Sequence, residues 1–485
     1  MSLELPRLPA YGRSRAEVLN RMQALRDHDV QWRRGRAFSL VFHAGDEVSE
    51  LLRDAYALFM AENGLNPTAF PSLRRLETEV VAMTAGLLGG DAATVGNMTS
   101  GGTESLLLAV KTARDWGRAE RGITRPEMVL PATAHPALDK AAHYFDVRIV
   151  RVPVGPDFRA DVAATRAAVT PNTVLLVGSA PQYPHGVIDP IAELAALARE
   201  RGVLMHVDAC VGGLMLPFLR PLGYRVPDFD LSVPGVTSLS ADLHKYGYAA
   251  KGASVLLYKD NALRRYQLFA AMDWPGGIYA SPTIAGTRPG GAIAAAWAVL
   301  NFLGEAGYRR ITETVMQTTI KIRDGARALP GLKVLGEPAM SVMALASDTL
   351  DIYEVGDELT ARGWYLDRQQ RPPSLHLTIN HAHAAVADEF LADLAAAVET
   401  VRRSGVRQTV NAAVVRAARA LTRWLPEAWV SALLRRLSGA LGGAGGRGGR
   451  TAAMYGMLAT LPNRGDLREL VLDLVEGFTR PQADS

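Results

Sequence analysis

The chain has 485 residues, 48% hydrophobic and 21% charged, a composition typical of a globular protein of two or three domains. Its net charge of +4 does not indicate a general nucleic-acid binder, and no RRM, KH or zinc-finger spacing occurs. The single cysteine, Cys210, excludes an intrachain disulfide and favours a reducing cytoplasm, and the hydropathy pattern predicts neither a signal peptide nor a transmembrane helix.

The predicted elements begin with a helical segment and continue as alternating helices and strands. Residues 1–60 look helical and polar, and helical periodicity returns at 75–88, 100–116 and 189–201. Five β-rich runs occupy 127–132, 147–154, 173–180, 203–209 and 253–258. This alternation predicts a mostly parallel sheet covered by helices, with ligands bound beyond the carboxyl ends of its strands.

The sequence pattern suggests three domains. We expect an N-terminal helical segment over 1–60 and a large ligand-binding domain over 61–310. A smaller C-terminal α/β domain would follow over 311–485, with an arginine-rich insert at about 402–450.

The insert differs in composition from the rest of the chain. Residues 402–450 hold ten arginines and one acidic residue, Glu427, and end in a glycine-rich linker. Within them, residues 411–443 combine arginine with tryptophan and leucine at helical spacing, which is typical of a helix that binds a membrane surface. A helical hairpin packed on the domain or the dimer is the alternative.

The stretch SADLHKYGYAAKG (240–252) places two lysines among small and aromatic residues. Lys245 follows His244 directly, and Lys251 lies six positions further on. An amine with the ordinary pKa of about 10.4 is a poor nucleophile at neutral pH. A second cation or a desolvated pocket lowers this pKa and permits Schiff-base chemistry, so we expect a lowered pKa at Lys245. Two ordinary surface lysines are the alternative.

Three more motifs fall at predicted strand ends. HVDAC (206–210) ends a β-rich run at Asp208, whose carboxylate either meets a cation such as a pyridinium nitrogen or caps the next turn. GNMTSGGTES (96–105) opens a helix after two glycines and forms either an anion site or a plain turn capped by Thr103. His135, after the first β-rich run, either stacks on an aromatic ring or is structural. A reactive lysine and an aspartate for a pyridinium are together what pyridoxal 5'-phosphate (PLP) requires.

Six segments of the chain together resemble sphingosine-1-phosphate lyase, a fold type I PLP family close to the group II decarboxylases. They are SGGTES (100–105), TAHPALDKAAHYF (133–145), PQYPHGVIDP (181–190), HVDACVGG (206–213), SLSADLHKYGYAAKG (238–252) and DWPGGIYASPTIAGTRPGG (273–291). The resemblance runs from about residue 35 to 400 and returns at AAMYGM (452–457). It implies a seven-stranded, mostly parallel sheet with a smaller C-terminal α/β domain.

The resemblance implies which residues bind the cofactor. Lys245 would hold it covalently, Asp208 would pair with the pyridinium, and His135 would stack on the ring. The cofactor phosphate and its surroundings would contact Gly102, Thr103, Ser240 and His244.

The resemblance also implies how the substrate is bound. Lys251 would bind its anionic head, Tyr183 would line its site, and Tyr455 would reach the active site from near the C-terminus. The family usually has a tyrosine at the position of Phe42 and a histidine at the position of Asn66, both binding the substrate phosphate from the neighbouring subunit. Phe42 cannot donate a hydrogen bond and Asn66 carries no charge, so the phosphate head group has less support than the cofactor.

The implied reaction is retro-aldol cleavage of a long-chain amino alcohol phosphate to a fatty aldehyde and phosphoethanolamine. The alternatives are a PLP-dependent amino-acid decarboxylase, a lyase for a related non-phosphorylated β-hydroxy amine, and a non-catalytic membrane-binding protein on the same scaffold. Family members are homodimers with shared active sites. We expect a cytoplasmic protein that uses neither metal nor nucleic acid, with peripheral membrane contact through 411–443 as an open hypothesis.

Overall fold

The computed structural model describes residues 7–27 and 29–403, and five residues near the C-terminus, Arg468, Val471, Leu472, Val475 and Glu476. Tyr455 and the arginine-rich residues 411–443 lie outside the described residues, so the hypotheses about them stay untested.

The chain forms two compact units. One contains the described residues up to Ala37, the stretch Ala346–Leu375 and the described residues from Phe390 onward. The other, larger unit contains Phe38–Leu345 and His376–Glu389, and it carries the site described below. The three-domain division drawn from the sequence stays a prediction.

A seven-stranded sheet forms the centre of the larger unit. Its strands are β1 (Val95–Thr99), β2 (Glu127–Pro131), β3 (Arg148–Val152), β4 (Thr173–Ser179), β5 (Leu204–Asp208), β6 (Ser238–Ala241) and β7 (Ser254–Tyr258). Their order is β1-β7-β6-β5-β4-β2-β3. The pairs from β3 through β6 are parallel, whereas β7 runs antiparallel to both β1 and β6. The predicted mostly parallel sheet is therefore confirmed.

Helices connect these strands and continue into the remaining chain. They are α1 (Arg15–Arg26), α2 (Asp46–Leu58), α3 (Pro71–Leu87), α4 (Gly102–Arg121), α5 (Ala137–Phe145), α6 (Val162–Ala168), α7 (Ile191–Arg201), α8 (Leu216–Leu219), α9 (Asn261–Arg264), α10 (Gly290–Ala328), α11 (Ile352–Ala361) and α12 (Ala387–Arg403). Among the described residues, we find no helix with the length and apolar content needed to cross a bilayer.

The core beside α4 shows why this helix packs so closely on the sheet. Leu106, Leu107 and Val110 of α4 are buried against apolar residues of β2, β4 and α5. Further along the helix, a Cβ atom at Gly117 would lie 2.4 Å from Cγ1 of Val174 in β4. Only a residue without a side chain permits this approach of helix to strand, so α4 is held firmly with its N-terminus at the strand ends.

Four further strands complete the fold. β8 (Phe269–Ala271) and β9 (Tyr279–Ser281) form a two-stranded antiparallel hairpin. A second sheet has the order β10-β11-β13-β12, built from β10 (Lys333–Val334), β11 (Val342–Ala346), β12 (Asp367–Gln370) and β13 (Pro373–Thr378). The smaller C-terminal sheet implied by the resemblance is thus present.

Two strands of the central sheet were not among the β-rich runs of the sequence. β1 reads VGNMT and β6 reads SLSA, and both contain small polar residues that are poor strand formers. β6 is hydrogen-bonded to a neighbour on each side, β5 and β7. Tertiary pairing therefore stabilises a strand that local propensity did not indicate.

Candidate active site

The carboxyl ends of parallel strands gather the residues that the sequence singled out. Asp208 is the last residue of β5, and its neighbour in register on β6 is Ser240. His135 follows β2 by four positions, and Lys245 follows β6 by four positions. The charges of Asp208 and Lys245 both act on the pKa of His135, which burial lowers overall. Three of the predicted site residues thus lie in one electrostatic environment.

Lys245 is paired with an acidic residue that the sequence interpretation overlooked. Its Nζ lies 2.9 Å from Oδ2 of Asp242, whose side chain is 2% exposed. Burial lowers the pKa of Lys245, but the Asp242 carboxylate outweighs burial, so the pKa is raised above its ordinary value. The expected lowering was therefore wrong for Lys245. The acid stands three positions before the lysine within the quoted motif, and the backbone N–H of Lys245 donates to the Asp242 carbonyl in the same turn.

Lys251 shows the shift that was expected of Lys245. Burial and the positive charge of Lys245 together lower its pKa. Its Nζ donates to the backbone oxygen of Leu40 at 2.8 Å and to that of His244 at 3.4 Å. The two lysines therefore differ in their contacts: Lys245 is a cation paired with a carboxylate, and Lys251 is hydrogen-bonded to two backbone carbonyl groups.

Asp208 belongs to a buried network of hydrogen bonds. Its Oδ1 accepts a hydrogen bond from the backbone N–H of Cys210 at 3.1 Å, so it caps the next turn. Behind it, the Ser240 hydroxyl lies 3.2 Å from Nε2 of His206 and accepts from the Cys210 thiol at 3.3 Å. Burial lowers the pKa of His206 to about 4 and raises that of Cys210, so both are neutral near pH 7. The hydroxyl group of Ser240 is therefore hydrogen-bonded to His206 and Cys210 in this structure.

The glycine turn at the start of α4 is closely packed at Gly102. A Cβ atom at Gly102 would lie 2.8 Å from Sγ of Cys210 and 2.9 Å from both carboxylate oxygens of Asp242. The first backbone N–H groups of a helix have no acceptor within the helix, and they bind anions well. Thr103 is exposed beside them. The start of α4 therefore stays the predicted position for a phosphate.

His244 borders this turn as a neutral ring. Its Nδ1 accepts a hydrogen bond from the backbone N–H of Ala253 at 3.2 Å. Burial lowers its pKa to about 4 although the Asp242 carboxylate acts in the opposite direction. A Cβ atom at Gly101 would lie 3.3 Å from Cε1 of His244, which places ring and turn in contact. His244 can therefore offer Nε2–H, but not a positive charge, to a phosphate.

Replacement of Gly102 by alanine is expected to prevent cofactor binding and to destabilise the chain. The added methyl group would be forced against buried Cys210 and Asp242, and overpacking of this kind costs about 1–3 kcal/mol. Thermal unfolding and the visible absorbance of bound PLP would measure the two effects. Gly86→Ala is the matched control, because nothing lies within 4 Å of that position. Undiminished PLP binding by the Gly102 variant would contradict the assignment of the turn.

Phe42 lies against Lys251 of its own chain. Lys251 Nζ is 5.6 Å from the centre of the Phe42 ring, a cation–π arrangement. The same ring packs edge-on against Tyr246 with centroids 4.8 Å apart, and the Tyr246 hydroxyl donates to the backbone oxygen of Ile379 at 2.7 Å. The resemblance implies that this position also serves the neighbouring subunit, and that role stays a prediction.

The other two substrate residues have structural contacts of their own. Asn66 is exposed, and its Oδ1 accepts from the backbone N–H groups of Thr68 and Ala69 at 3.0 and 3.2 Å and from the Thr68 hydroxyl at 2.7 Å. Tyr183 stacks on His376 with ring centroids 4.0 Å apart. Asn66 therefore shapes the turn before α3, and Tyr183 forms part of a packed aromatic pair.

The site matches the chemical parts of PLP. A helix N-terminus with a glycine cradle suits the phosphate, a buried carboxylate suits a protonated ring nitrogen, and a lysine suits the aldehyde. Asp242 also presents one buried oxygen, Oδ1, that has no hydrogen-bond partner among the described residues. The residues present thus fit this cofactor, and one buried carboxylate oxygen could accept a further hydrogen bond.

Comparisons with known proteins show the family to which the chain belongs. Residues 16–345 match the family model described as the pyridoxal-dependent decarboxylase conserved domain. The chain is 43% identical over 477 residues to a sphingosine-1-phosphate lyase of Oryza sativa subsp. japonica, covering 97% of this chain and 81% of that one. It is 48% identical over 394 residues to a sphingosine-1-phosphate lyase of Arabidopsis thaliana, covering 80% and 72%.

Solved structures show the same fold. A sphingosine-1-phosphate lyase of Burkholderia pseudomallei superposes with a TM-score of 0.80 at 41% identity, covering 87% of this chain and 98% of that one. A glutamate decarboxylase of Lactobacillus brevis superposes with a TM-score of 0.72 over 83% and 96%, but at 20% identity it shares the fold alone. The predicted fold type I and the PLP cofactor are thereby confirmed, and the chain belongs to the sphingosine-1-phosphate lyase family of pyridoxal-dependent enzymes.

Proposed function

We propose that the chain cleaves the Cα–Cβ bond of a phosphorylated long-chain amino alcohol, releasing a fatty aldehyde and phosphoethanolamine. The observation that carries the proposal is the pair of lysines with different contacts in one site. Lys245 is held by a carboxylate where a covalent anchor is needed, and Lys251 donates to the carbonyl of His244 beside it. The names of the relatives at 43–48% identity support the same substrate.

Each residue of the site has a distinct task in this reaction. PLP, when bound, takes up the electron pair of the broken carbon–carbon bond. Asp208 supplies the negative charge that keeps the ring nitrogen protonated, and His135 packs on the ring as a neutral imidazole. The amino group of Lys245, once the substrate amine has displaced it, lies within the site as a proton carrier. Lys251 binds the anionic head, and Tyr455 is proposed to complete the site from the C-terminal region.

Product identification tests this function directly. The PLP-loaded protein would be incubated with sphingosine 1-phosphate and, separately, with unphosphorylated sphingosine, and the products identified by mass spectrometry. We expect hexadecenal and phosphoethanolamine from the first substrate. Release of carbon dioxide from amino acids without aldehyde formation would instead favour a decarboxylase.

A lyase for a non-phosphorylated β-hydroxy amine is the second candidate. Phe42 places an apolar ring beside Lys251, and the side-chain oxygen of Asn66 is already engaged in its own turn. Each hydrogen bond to a charged group contributes about 1.5–3 kcal/mol, so the loss of two donors would weaken phosphate binding. Cleavage of only the unphosphorylated base in the same experiment would select this candidate.

We also propose that the protein is a homodimer with shared active sites. The hairpin β8–β9 and the segment after it expose large apolar side chains, with Met272 and Ile278 more than 70% exposed. Exposed apolar patches of this kind mark interaction surfaces. The full set is Leu268, Phe269, Met272, Trp274, Ile278 and Ile284. A second copy is the occupant that the family resemblance implies.

The double substitution Met272→Glu with Ile278→Glu is expected to yield a monomer with little activity. Two buried charges at the interface would each cost several kcal/mol in desolvation, and an isolated site would lack its partner loops. Size-exclusion chromatography with light scattering would measure the mass. Tyr144→Glu, at an exposed position of α5, is the control. An unchanged dimer in the double variant, or a monomeric wild type, would contradict the proposal.

Peripheral membrane contact through residues 411–443 is a separate proposal that rests on sequence composition alone. Such contact would bring a cytoplasmic enzyme to a lipid substrate. Flotation with anionic liposomes would compare the full chain with a 411–443 deletion. Failure of the full chain to float would end the idea.

A further inference from the structure

Asp242 has no assigned task, although its side chain is among the most buried charged groups of the site. It follows the last residue of β6, and its side chain is 2% exposed. Its Oδ2 contacts Nζ of Lys245 at 2.9 Å and lies 3.7 Å from Nε2 of His244. Its Oδ1 has no hydrogen-bond partner among the described residues. A carboxylate so placed would be costly unless its charge served the group it touches.

The other titratable groups around Lys245 leave Asp242 as its dominant counter-charge. Burial raises the pKa of the Cys210 thiol, so it carries no charge near pH 7. Burial lowers the pKa values of His135 and His244, so both rings are neutral there. Asp208 also raises the pKa of Lys245, but by less than Asp242 does. The positive charge of Lys245 in turn lowers the pKa of Lys251.

We propose that Asp242 is a positioning residue that holds the free side chain of Lys245 as an ammonium group, in place for reaction with the cofactor aldehyde. This inference rests on the proposed role of Lys245 as the lysine that binds the cofactor. Asp242 would hold Lys245 whenever the bond between lysine and cofactor is absent. These states are the cofactor-free protein and the part of the cycle in which substrate has displaced the lysine.

The reaction of Lys245 with the cofactor aldehyde shows which step the Asp242 carboxylate would control. The ammonium of Lys245 first gives up a proton, and its lone pair then attacks the aldehyde carbon. The aldehyde oxygen leaves as water with two of the three protons of the original ammonium, and the third proton stays on nitrogen, so charge is conserved. Because the reactive form is the neutral amine, a carboxylate at 2.9 Å slows loading while it fixes the position of the nitrogen.

The substitution Asp242→Asn tests whether the carboxylate slows the reaction of Lys245 with PLP, through the rate of PLP loading. Cofactor-free protein would be mixed with PLP, and the rise of visible absorbance followed from pH 6.5 to 9.5. We expect the variant to load about tenfold faster at pH 7.5, since one pKa unit corresponds to a tenfold change in the neutral fraction. Its rate should also level off within this range, whereas the wild-type rate keeps rising. Equal rates, or faster loading without levelling off, would overturn the proposal.

Two controls separate this effect from loss of structure and from a wrong site assignment. Asp230→Asn changes another buried carboxylate, which accepts hydrogen bonds from Ser232 rather than from a lysine, and it should load as wild type does. Lys245→Met should form no covalent absorbance. Covalent loading by the Lys245 variant would overturn both the site assignment and this inference.

A measurement on the wild-type protein avoids dependence on the variant's folding. Acetic anhydride labelling of cofactor-free protein at increasing pH, read by peptide mass spectrometry, reports when each amine becomes neutral. We expect Lys251 to become reactive at a clearly lower pH than Lys245, because only Lys245 is paired with Asp242. A labelling midpoint for Lys245 at or below that of Lys251 would refute the proposal.

Discussion

Replacement of Lys245 by alanine is expected to abolish turnover and the covalent attachment of PLP. The substitution removes both the anchor and the proposed proton carrier, and loss of a proton-transfer group alone typically costs about 10²–10⁴-fold in rate. Aldehyde formation, measured with sphingosine 1-phosphate, should fall to the background rate. The visible absorbance that arises from the covalent attachment of the cofactor should disappear with it.

The same substitution leaves the buried Asp242 without its cation. A loss of activity could then result from a less stable fold as well as from the missing amine. Removing one partner of a buried ion pair costs about 3–5 kcal/mol. The double variant Lys245→Ala with Asp242→Asn removes both charges and should recover much of that stability while remaining inactive. Lys259→Ala, at an exposed lysine after β7, is the neutral control. Activity retained in either Lys245 variant would refute the proposed anchor.

Replacement of Lys251 by alanine is expected to raise KM for a phosphorylated substrate by roughly 10- to 100-fold, with a smaller change in kcat. The magnitude follows from the loss of one hydrogen bond to a charged group, about 1.5–3 kcal/mol. Unphosphorylated sphingosine supplies the internal control, because its cleavage should change little. An equal loss for both substrates would show that Lys251 supports the site rather than the head group.

The pH dependence of KM provides a second check on Lys251. Burial and the charge of Lys245 lower its pKa, so the ammonium loses its proton at a lower pH than an ordinary lysine does. Phosphate binding should therefore be complete below this pKa and be lost as the pH rises through it. KM for the phosphorylated substrate should rise on the alkaline side, and the Lys251→Ala variant should lack that rise.

Local patterns identified five of the seven strands of the central sheet and predicted the reactive positions. The five β-rich runs each contain a strand of the central sheet, and HVDAC ends at Asp208 where β5 ends. Such patterns can be found in a short stretch of sequence, because a strand buried on both faces consists of consecutive apolar residues. The specific motif around Lys245 then linked these positions to one family, and the family relationship is confirmed.

Contacts between distant parts of the chain were beyond any local pattern. The pairing of β6 with two neighbours, the approach of α4 to Val174, and the placement of Phe42 against Lys251 each join segments far apart in sequence. No short-range propensity specifies such contacts, since they form only when the whole sheet assembles.

The sequence alone determined the fold class and the family, and it predicted which lysine is reactive. Only the tertiary structure decided the state of that lysine. Two lysines six positions apart indicated mutual repulsion and a lowered pKa, but folding buried Asp242 at 2.9 Å from Lys245 and reversed the sign. The physical reason is that a pKa responds to the nearest charge in a poorly solvated site, and this distance is set by the assembled strand ends.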